Sequence, residues 1–348
     1  MAEQLAAAIT SFVIAFLIVP VIIKYSLRRN LVDVPGRRKI HKKVTPSMGG
    51  IAIFIGFFIS TVIWTDIQED WGHIKFILVA LFVIFFIGVR DDLVPLRAMV
   101  KLMGQIMAAS LLIFLFDLRI KTFYGLFGIY ELPDMVSYLT TYLTIIVITN
   151  SFNLIDGLDG LAGTIAIVAL LAFGVWFFLF GDRIFSILAF SMLGAIFAFL
   201  IFNWEPSEVF MGDTGALVIG MMLAILTIHF INTNYSLPAM TPYKFDASIG
   251  TAACIIIIPL VDTLRIVILR LSKRQSPFHP DKSHVHHAIM RLGMRHSQTT
   301  LILAAVHIFF IALAIIFSHL NDAYVLSGVI VLSFLLSVSL DRLIINKL

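Results

Sequence analysis

Charge is scarce in this chain. Only 13% of its 348 residues are charged, about half the ~25% of an ordinary soluble domain. Hydrophobic residues fill 60% of it and the mean hydropathy is +1.00. That balance excludes a soluble globular protein and requires a polytopic membrane protein. Cysteine is almost lacking as well: Cys254 stands alone, inside an apolar run, so no intramolecular disulfide forms. A Walker A sequence and a Rossmann glycine pattern are both missing, so any nucleotide has to be held by other loops. No Lys or Arg precedes the first apolar run, which is therefore expected to remain as a span rather than serve as a cleaved signal peptide. No soluble stretch exceeds about 30 residues, so the expectation is one transmembrane domain over residues 1–348.

A hydrocarbon core of ~30 Å needs ~20 apolar residues per helix. The apolar runs give eleven expected spans: 5–27, 47–65, 74–90, 98–116, 137–152, 160–180, 184–202, 214–232, 249–271, 298–319 and 323–344. The fold class expected is all-α. With the N-terminus outside, the inner segments hold twenty of the 25 Lys and Arg, leaving outside only Lys75, Arg119, Lys121, Arg183 and Lys244. The positive-inside rule then puts the C-terminus in the cytoplasm, with inner loops at 28–46, 91–97, 203–213 and 272–297.

Polar groups gather at the inner span ends. The stretch Asn150-Ser-Phe-Asn-Leu-Ile-Asp-Gly-Leu-Asp-Gly-Leu161 sets Asn150, Asn153, Asp156 and Asp159 between two apolar runs. Charge so placed costs several kcal/mol unless it meets water, a partner or a metal. Asn153 and Asp156 share a helical face, and Asp159 either caps the following span or joins them. Asp91 and Asp92 end the third span, where negative charge opposes the helix dipole by ~0.3–1 kcal/mol each. A divalent cation or a proton-transfer task accounts for such a pair, and Lys101 follows nine residues after Asp92.

Asp213, flanked by Gly212 and Gly215, opens the eighth span. It is either an N-cap or a ligand beside open helix-end amides, a natural phosphate site. Asp262 and Arg265, three apart, suggest a local ion pair. In the last inner loop His284, His286 and His287 suit either zinc or a pyrophosphate faced by cations, and the absence of an i, i+4 pair disfavours zinc. The first inner loop, with Arg37, Arg38, Lys39, Lys42 and Lys43, suits anionic headgroups or an anionic substrate. It ends in Thr45-Pro-Ser-Met-Gly-Gly50, shaped so that backbone comes close to something. Carboxylates for a metal and cations for phosphates, at an inner membrane boundary, describe phosphoryl transfer with a lipid reactant. A cation transporter is the alternative of another class, though ion-coupled sites usually lie at the bilayer midplane.

The motifs Thr45-Pro-Ser-Met-Gly-Gly50, Asp91-Asp92, Asn150–Gly160, Phe210-Met-Gly-Asp-Thr-Gly215 and His284-Val-His-His287 resemble, in order and spacing, those of the polyprenyl-phosphate N-acetylhexosamine-1-phosphate transferases. The likeness runs from about residue 30 to residue 290. It implies a catalytic domain of eleven spans with a cytoplasmic active site. The implied reaction is attack of undecaprenyl phosphate on the β-phosphorus of a UDP-N-acetylhexosamine, releasing UMP, with Mg2+ (or Mn2+) as cofactor. By motif, Asn153 and Asp213 are implied at the metal. Asp91, Asp92, Asp156, His284, His286 and His287 are implied as catalytic, and Lys43, Lys101, Asn150 and Asp159 as substrate-binding.

Pro280-Asp-Lys-Ser-His-Val-His-His287 is similar to the N-acetylglucosamine branch. The branch using UDP-MurNAc-pentapeptide has three consecutive histidines, which Val285 interrupts here; it stays the alternative donor. The partners implied are undecaprenyl phosphate, the UDP-sugar and the bilayer of a bacterial inner membrane, with no nucleic acid, and a homodimer is compatible with the resemblance.

Overall fold

The computed structural model describes residues 1–29, 31–33, 45–66, 70–272, 274 and 284–347. Among the described residues it is helical apart from two paired two-residue strands, β1 (Val32–Asp33) and β2 (Thr45–Pro46), and an isolated antiparallel bridge between Thr122 and Glu131. The helices are α1 (Ala2–Arg28), α2 (Gly49–Trp64), α3 (Trp71–Leu93), α4 (Ala98–Leu115), α5 (Asp134–Ile155), α6 (Leu161–Phe180) and α7 (Arg183–Asn203). They continue with α8 (Gly212–Ser236), α9 (Ser248–Ile255), α10 (Ile257–Ser272), α11 (Val285–Arg291), α12 (His296–Ile316) and α13 (Asp322–Lys347).

Seven of these, α1, α5, α6, α7, α8, α12 and α13, are long and apolar enough to cross a bilayer. The pair α9 and α10, bent by 85°, makes an eighth. The remaining expected spans coincide with α2 and α4, which are apolar but shorter, and with α3, which carries Lys75, Arg90, Asp91 and Asp92.

The bundle is built around α8. Its sequence is apolar all round, so no stripe is left to face lipid or water, and 94% of its most apolar window is buried against 17% for α13. α3 and α5 pack on α8 directly, and α1 packs on α7 and α2. Close approach is achieved with glycine. A Cβ on Gly50 would lie 2.1 Å from Gly215 N, and one on Gly88 2.4 Å from Thr214 Cα, so α2 and α3 meet the start of α8 backbone to backbone.

The bend between α9 and α10 has a cause in the sequence. Pro259 has no N–H, so the Ile255 carbonyl four residues earlier loses its helical donor. His307 on α12 fills the vacancy, its Nε2 lying 2.6 Å from Ile255 O. Outside the break, Asp322 at the start of α13 accepts the Gly250 N–H at 2.6 Å and so holds the start of α9. Similar local logic starts α7, where the Asp182 carboxylate accepts the Phe185 N–H at 3.1 Å.

Candidate active site

The site begins where the start of α8 is clamped. Phe210 N donates to Pro46 O at 2.7 Å, while Gly49 N and Gly50 N donate to Phe210 O and Met211 O at 3.0 and 2.9 Å. The Thr45–Gly50 motif therefore approaches the start of α8. The first turn of any helix has N–H groups without intrahelical partners. Here carboxylates from other helices take them: Asp92 accepts Asp213 N at 2.8 Å and Thr214 N at 3.0 Å, and the Thr214 hydroxyl at 2.5 Å. Asp156 accepts the Gly212 N–H. The expectation that these amides lie open to a phosphate is thus corrected, because two aspartates fill them. Asp213 is not the N-cap either: Met211 occupies that position.

Freed from capping, the Asp213 side chain is where four helices converge. Asn153 on α5 donates to its Oδ1 at 2.7 Å, and Lys101 on α4 reaches its Oδ2 at 3.1 Å. The same Lys101 ammonium pairs with Asp91 on α3, whose other oxygen accepts Leu96 N at 2.6 Å. Asp213 and Lys101 side chains are 30% and 27% exposed, and Asp91 only 3%. Asp213 and Lys101 are therefore partly exposed, while Asp91 holds the lysine from the buried side.

Two carboxylates, Asp91 and Asp213, share the Lys101 ammonium, while Asp92 and Asp156, bonded to the start of α8, add negative charge beside Asp213. The imbalance is visible at Asp156. Burial, then the negative charges of Asp213, Asp92 and Asp159, push its carboxyl up to about 7 against the opposing Gly212 hydrogen bond. Surplus negative charge presented by hard oxygen donors suits a divalent cation.

Asn150 is brought near but is engaged elsewhere. Its Nδ2 donates to Gln105 Oε1 at 2.7 Å and its Oδ1 accepts from Gln105 Nε2 at 3.1 Å, an amide pair joining α5 to α4. Asp159 does not cap α6, whose N-cap is Gly160. It accepts the Ser207 hydroxyl at 2.9 Å and lies 3.3 Å from His296 Nδ1. Burial alone would raise its carboxyl, but His296 and Ser207 more than offset this and hold it below the ordinary value. Glu205 beside it accepts Ser297 N and Oγ at 2.9 and 2.7 Å, which hold its carboxyl down too. The loops that follow α5 and α7 are thereby tied to the start of α12. Gln105, Ser207 and His296 carry no mark in the sequence that sets them apart.

The histidines form a second group. Asp262 does not pair with Arg265; that guanidinium bonds Asp341 at 2.6 Å and Ser337 at 3.0 Å. Asp262 instead accepts His284 Nδ1 at 2.8 Å and the Val285 N–H at 2.7 Å, with His286 Nδ1 3.9 Å away. Donor atoms of Asp262, His284 and His286, all buried, lie within 4.8 Å of one another and could hold a metal ion. Burial, opposed by Asp262, brings the His286 imidazole down to about 3, so it is neutral near pH 7. Its Nε2 lies 3.0 Å from where a Cβ on Gly157 would be, which sets the histidines against the loop of Asp156. His287 touches His286, ring centroids 4.4 Å apart. Lys43 lies outside the described residues.

Fold and site together define a helical multi-pass membrane protein whose polar centre is assembled from helix ends. Residues 74–231, which contain Asp91, Lys101, Asn153 and Asp213, match the family described as glycosyl transferase family 4. The chain is 32% identical over 351 residues to the undecaprenyl-phosphate alpha-N-acetylglucosaminyl 1-phosphate transferase of Pasteurella multocida (strain Pm70), covering 97% of this chain and 94% of that one. It is 31% identical over 312 residues to the probable undecaprenyl-phosphate N-acetylglucosaminyl 1-phosphate transferase of Bacillus subtilis (strain 168), covering 89% and 84%. Against the Salmonella typhi undecaprenyl-phosphate alpha-N-acetylglucosaminyl 1-phosphate transferase it is 29% identical over 346 residues, covering 96% and 90%. The chain belongs to glycosyl transferase family 4, and it is a phosphoglycosyltransferase.

Proposed function

We propose that this protein transfers N-acetylglucosamine 1-phosphate from UDP-N-acetylglucosamine to undecaprenyl phosphate. The observation that carries the proposal is the convergence of Asp91, Lys101 and Asn153 on Asp213. The names of the relatives support the choice of donor and acceptor. A phosphate oxygen of the lipid attacks the β-phosphorus of the nucleotide sugar. The bond from that phosphorus to the bridging oxygen breaks, and the oxygen leaves as part of UMP. A phosphate monoester is already mostly ionised near neutral pH, its second pKa being about 6, so no aspartate has to act as base. Asp92 and Asp91 work instead by holding the start of α8 and Lys101 in place.

Asp213 and Asn153 would hold Mg2+, with Mn2+ as a substitute, and Asp156 stands beside them. Bound there, it would supply positive charge toward the diphosphate. Lys101 would bind a phosphate oxygen, and His284, His286 and His287 would contact diphosphate or sugar. The lysine and arginine distribution supports a bacterial inner-membrane protein with the N-terminus outside and the site on the cytoplasmic side. α2, α3 and α4 would complete eleven spans in one domain.

Purified protein with Mg2+, undecaprenyl phosphate and UDP-N-acetylglucosamine should release UMP, and Asp213→Ala should abolish release. No turnover with any UDP-sugar would overturn the proposal. Turnover confined to UDP-MurNAc-pentapeptide would change the donor, and metal-dependent flux in proteoliposomes without a UDP-sugar would favour a transporter.

A further inference from the structure

We infer that Asp262 is a positioning residue for the transfer, locking His284 in the Nδ1–H tautomer so that Nε2 is the ring nitrogen left for the nucleotide-sugar diphosphate. The role in transfer rests on the function proposed above; the tautomer rests on geometry alone. Asp262 is 3% exposed on α10, and its two oxygens do separate things. Oδ2 lies 2.8 Å from His284 Nδ1, and Oδ1 accepts the neighbouring Val285 N–H at 2.7 Å. An ionised carboxylate only accepts hydrogen bonds, so Nδ1 must carry the proton. In the neutral ring Nε2 then carries the lone pair.

One carboxylate thus fixes both the ring and the backbone next to it. His286 stacks on His284 with centroids 5.3 Å apart and planes 15° apart, and its Nε2 reaches the Gly157 loop. His286 therefore lies between Asp262, 3.9 Å from its Nδ1, and the Gly157 loop at its Nε2. Arg265, the nearest cation in sequence, is taken by Asp341. Among the described residues the side chains that Asp262 meets are imidazoles, which is how a buried carboxylate would be arranged to orient histidine rather than to make an ordinary ion pair.

A purely structural role, holding the start of α11, would need only an acceptor for Val285 N. Asp262→Asn separates the two roles. Its Oδ1 can keep the Val285 bond while its amide nitrogen, a donor, turns toward Nδ1 and favours the opposite tautomer. The same exchange behind a catalytic histidine costs a serine protease about 10⁴ in kcat.

The expected result is a fall in kcat of ~10²-fold or more, with the KM for UDP-N-acetylglucosamine and the melting temperature nearly unchanged. ¹⁵N NMR of labelled protein in nanodiscs should report Nδ1–H at His284 in the wild type and Nε2–H in Asp262→Asn. Asp262→Glu should recover part of the rate together with the original tautomer. Full kcat in Asp262→Asn, or an unchanged tautomer, would overturn the inference. So would stoichiometric zinc in the purified protein that is lost with Asp262→Asn, which would make the cluster a metal centre. A wild type inactive on every UDP-sugar would remove the catalytic role along with the function, while the NMR result still decides whether Asp262 sets the ring.

Discussion

Asp92 and Thr214, 122 residues apart in the chain, are joined by two hydrogen bonds, from the Thr214 main-chain N–H at 3.0 Å and from its hydroxyl at 2.5 Å. The carboxylate at the end of α3 thus caps the central helix, and its neighbour Asp91 holds the lysine that faces Asp213. Adjacent aspartates that look alike in sequence have different tasks.

Asp92→Ala should therefore act mainly on stability. It removes the acceptor for three donors at the start of α8, a loss on the order of 3 kcal/mol. Asp213→Asn should act mainly on turnover, with stability changed by less than ~1 kcal/mol because relief of the charge crowding at Asp156 opposes the loss of the Lys101 ion pair. Thermal melts in detergent compared with UMP release check both. Added Mg2+ should raise the melting temperature of the wild type but not of Asp213→Asn.

The carboxyl of Asp156 titrates near 7 in the folded protein, against ~3.9 when unfolded. A raised folded value means that folding favours the protonated acid. The stabilisation is full below about pH 4 and is lost as pH rises through 7. In EDTA the protein should lose on the order of a few kcal/mol between pH 5 and 8, and the slope should flatten in Asp156→Asn. Melting temperature against pH measures this, and an equal slope in the variant would refute it.

Gly50→Ala should prevent the α2–α8 contact, since its Cβ would sit 2.1 Å from Gly215 N. A loss above ~3 kcal/mol and poor yield of folded protein are expected. Gly328→Ala, with nothing within 4 Å of the added Cβ, should be neutral or stabilising by up to ~1 kcal/mol.

His307→Leu leaves the Ile255 carbonyl without its donor and should cost about 1–3 kcal/mol. Pro259→Ala restores the main-chain N–H four residues on, so in the double variant much of that loss should return. A double-mutant cycle on melting free energies tests the coupling; simple additivity would mean that His307 does not hold the break.

Helix positions were legible because membrane insertion is decided by local hydropathy, and each expected span meets a helix or, for 249–271, the broken pair. The break itself was half-legible: Pro259 is in the sequence, but the histidine that answers it lies 52 residues away from Ile255. The polar span ends were equally visible, since isolated carboxylates in apolar sequence stand out whatever their partners.

Partners were not visible. Asp262 looked paired with Arg265 by spacing, yet it holds His284, 22 residues on. Asp213 looked like a cap and an anion site, yet Asp92 and Asp156 fill those amides and release its side chain. Asn150 looked like part of the site and forms an amide pair with Gln105.

By itself the sequence determined that this chain is a helical membrane protein with acids and histidines at one set of span ends, because hydropathy and residue chemistry act over a few neighbours. Only the tertiary structure decided which of those acids cap, which anchor and which stay partly exposed. That division follows from helix ends meeting across the bundle, where a carboxylate takes whichever donor the packing brings within about 3 Å, however far away it lies in the chain.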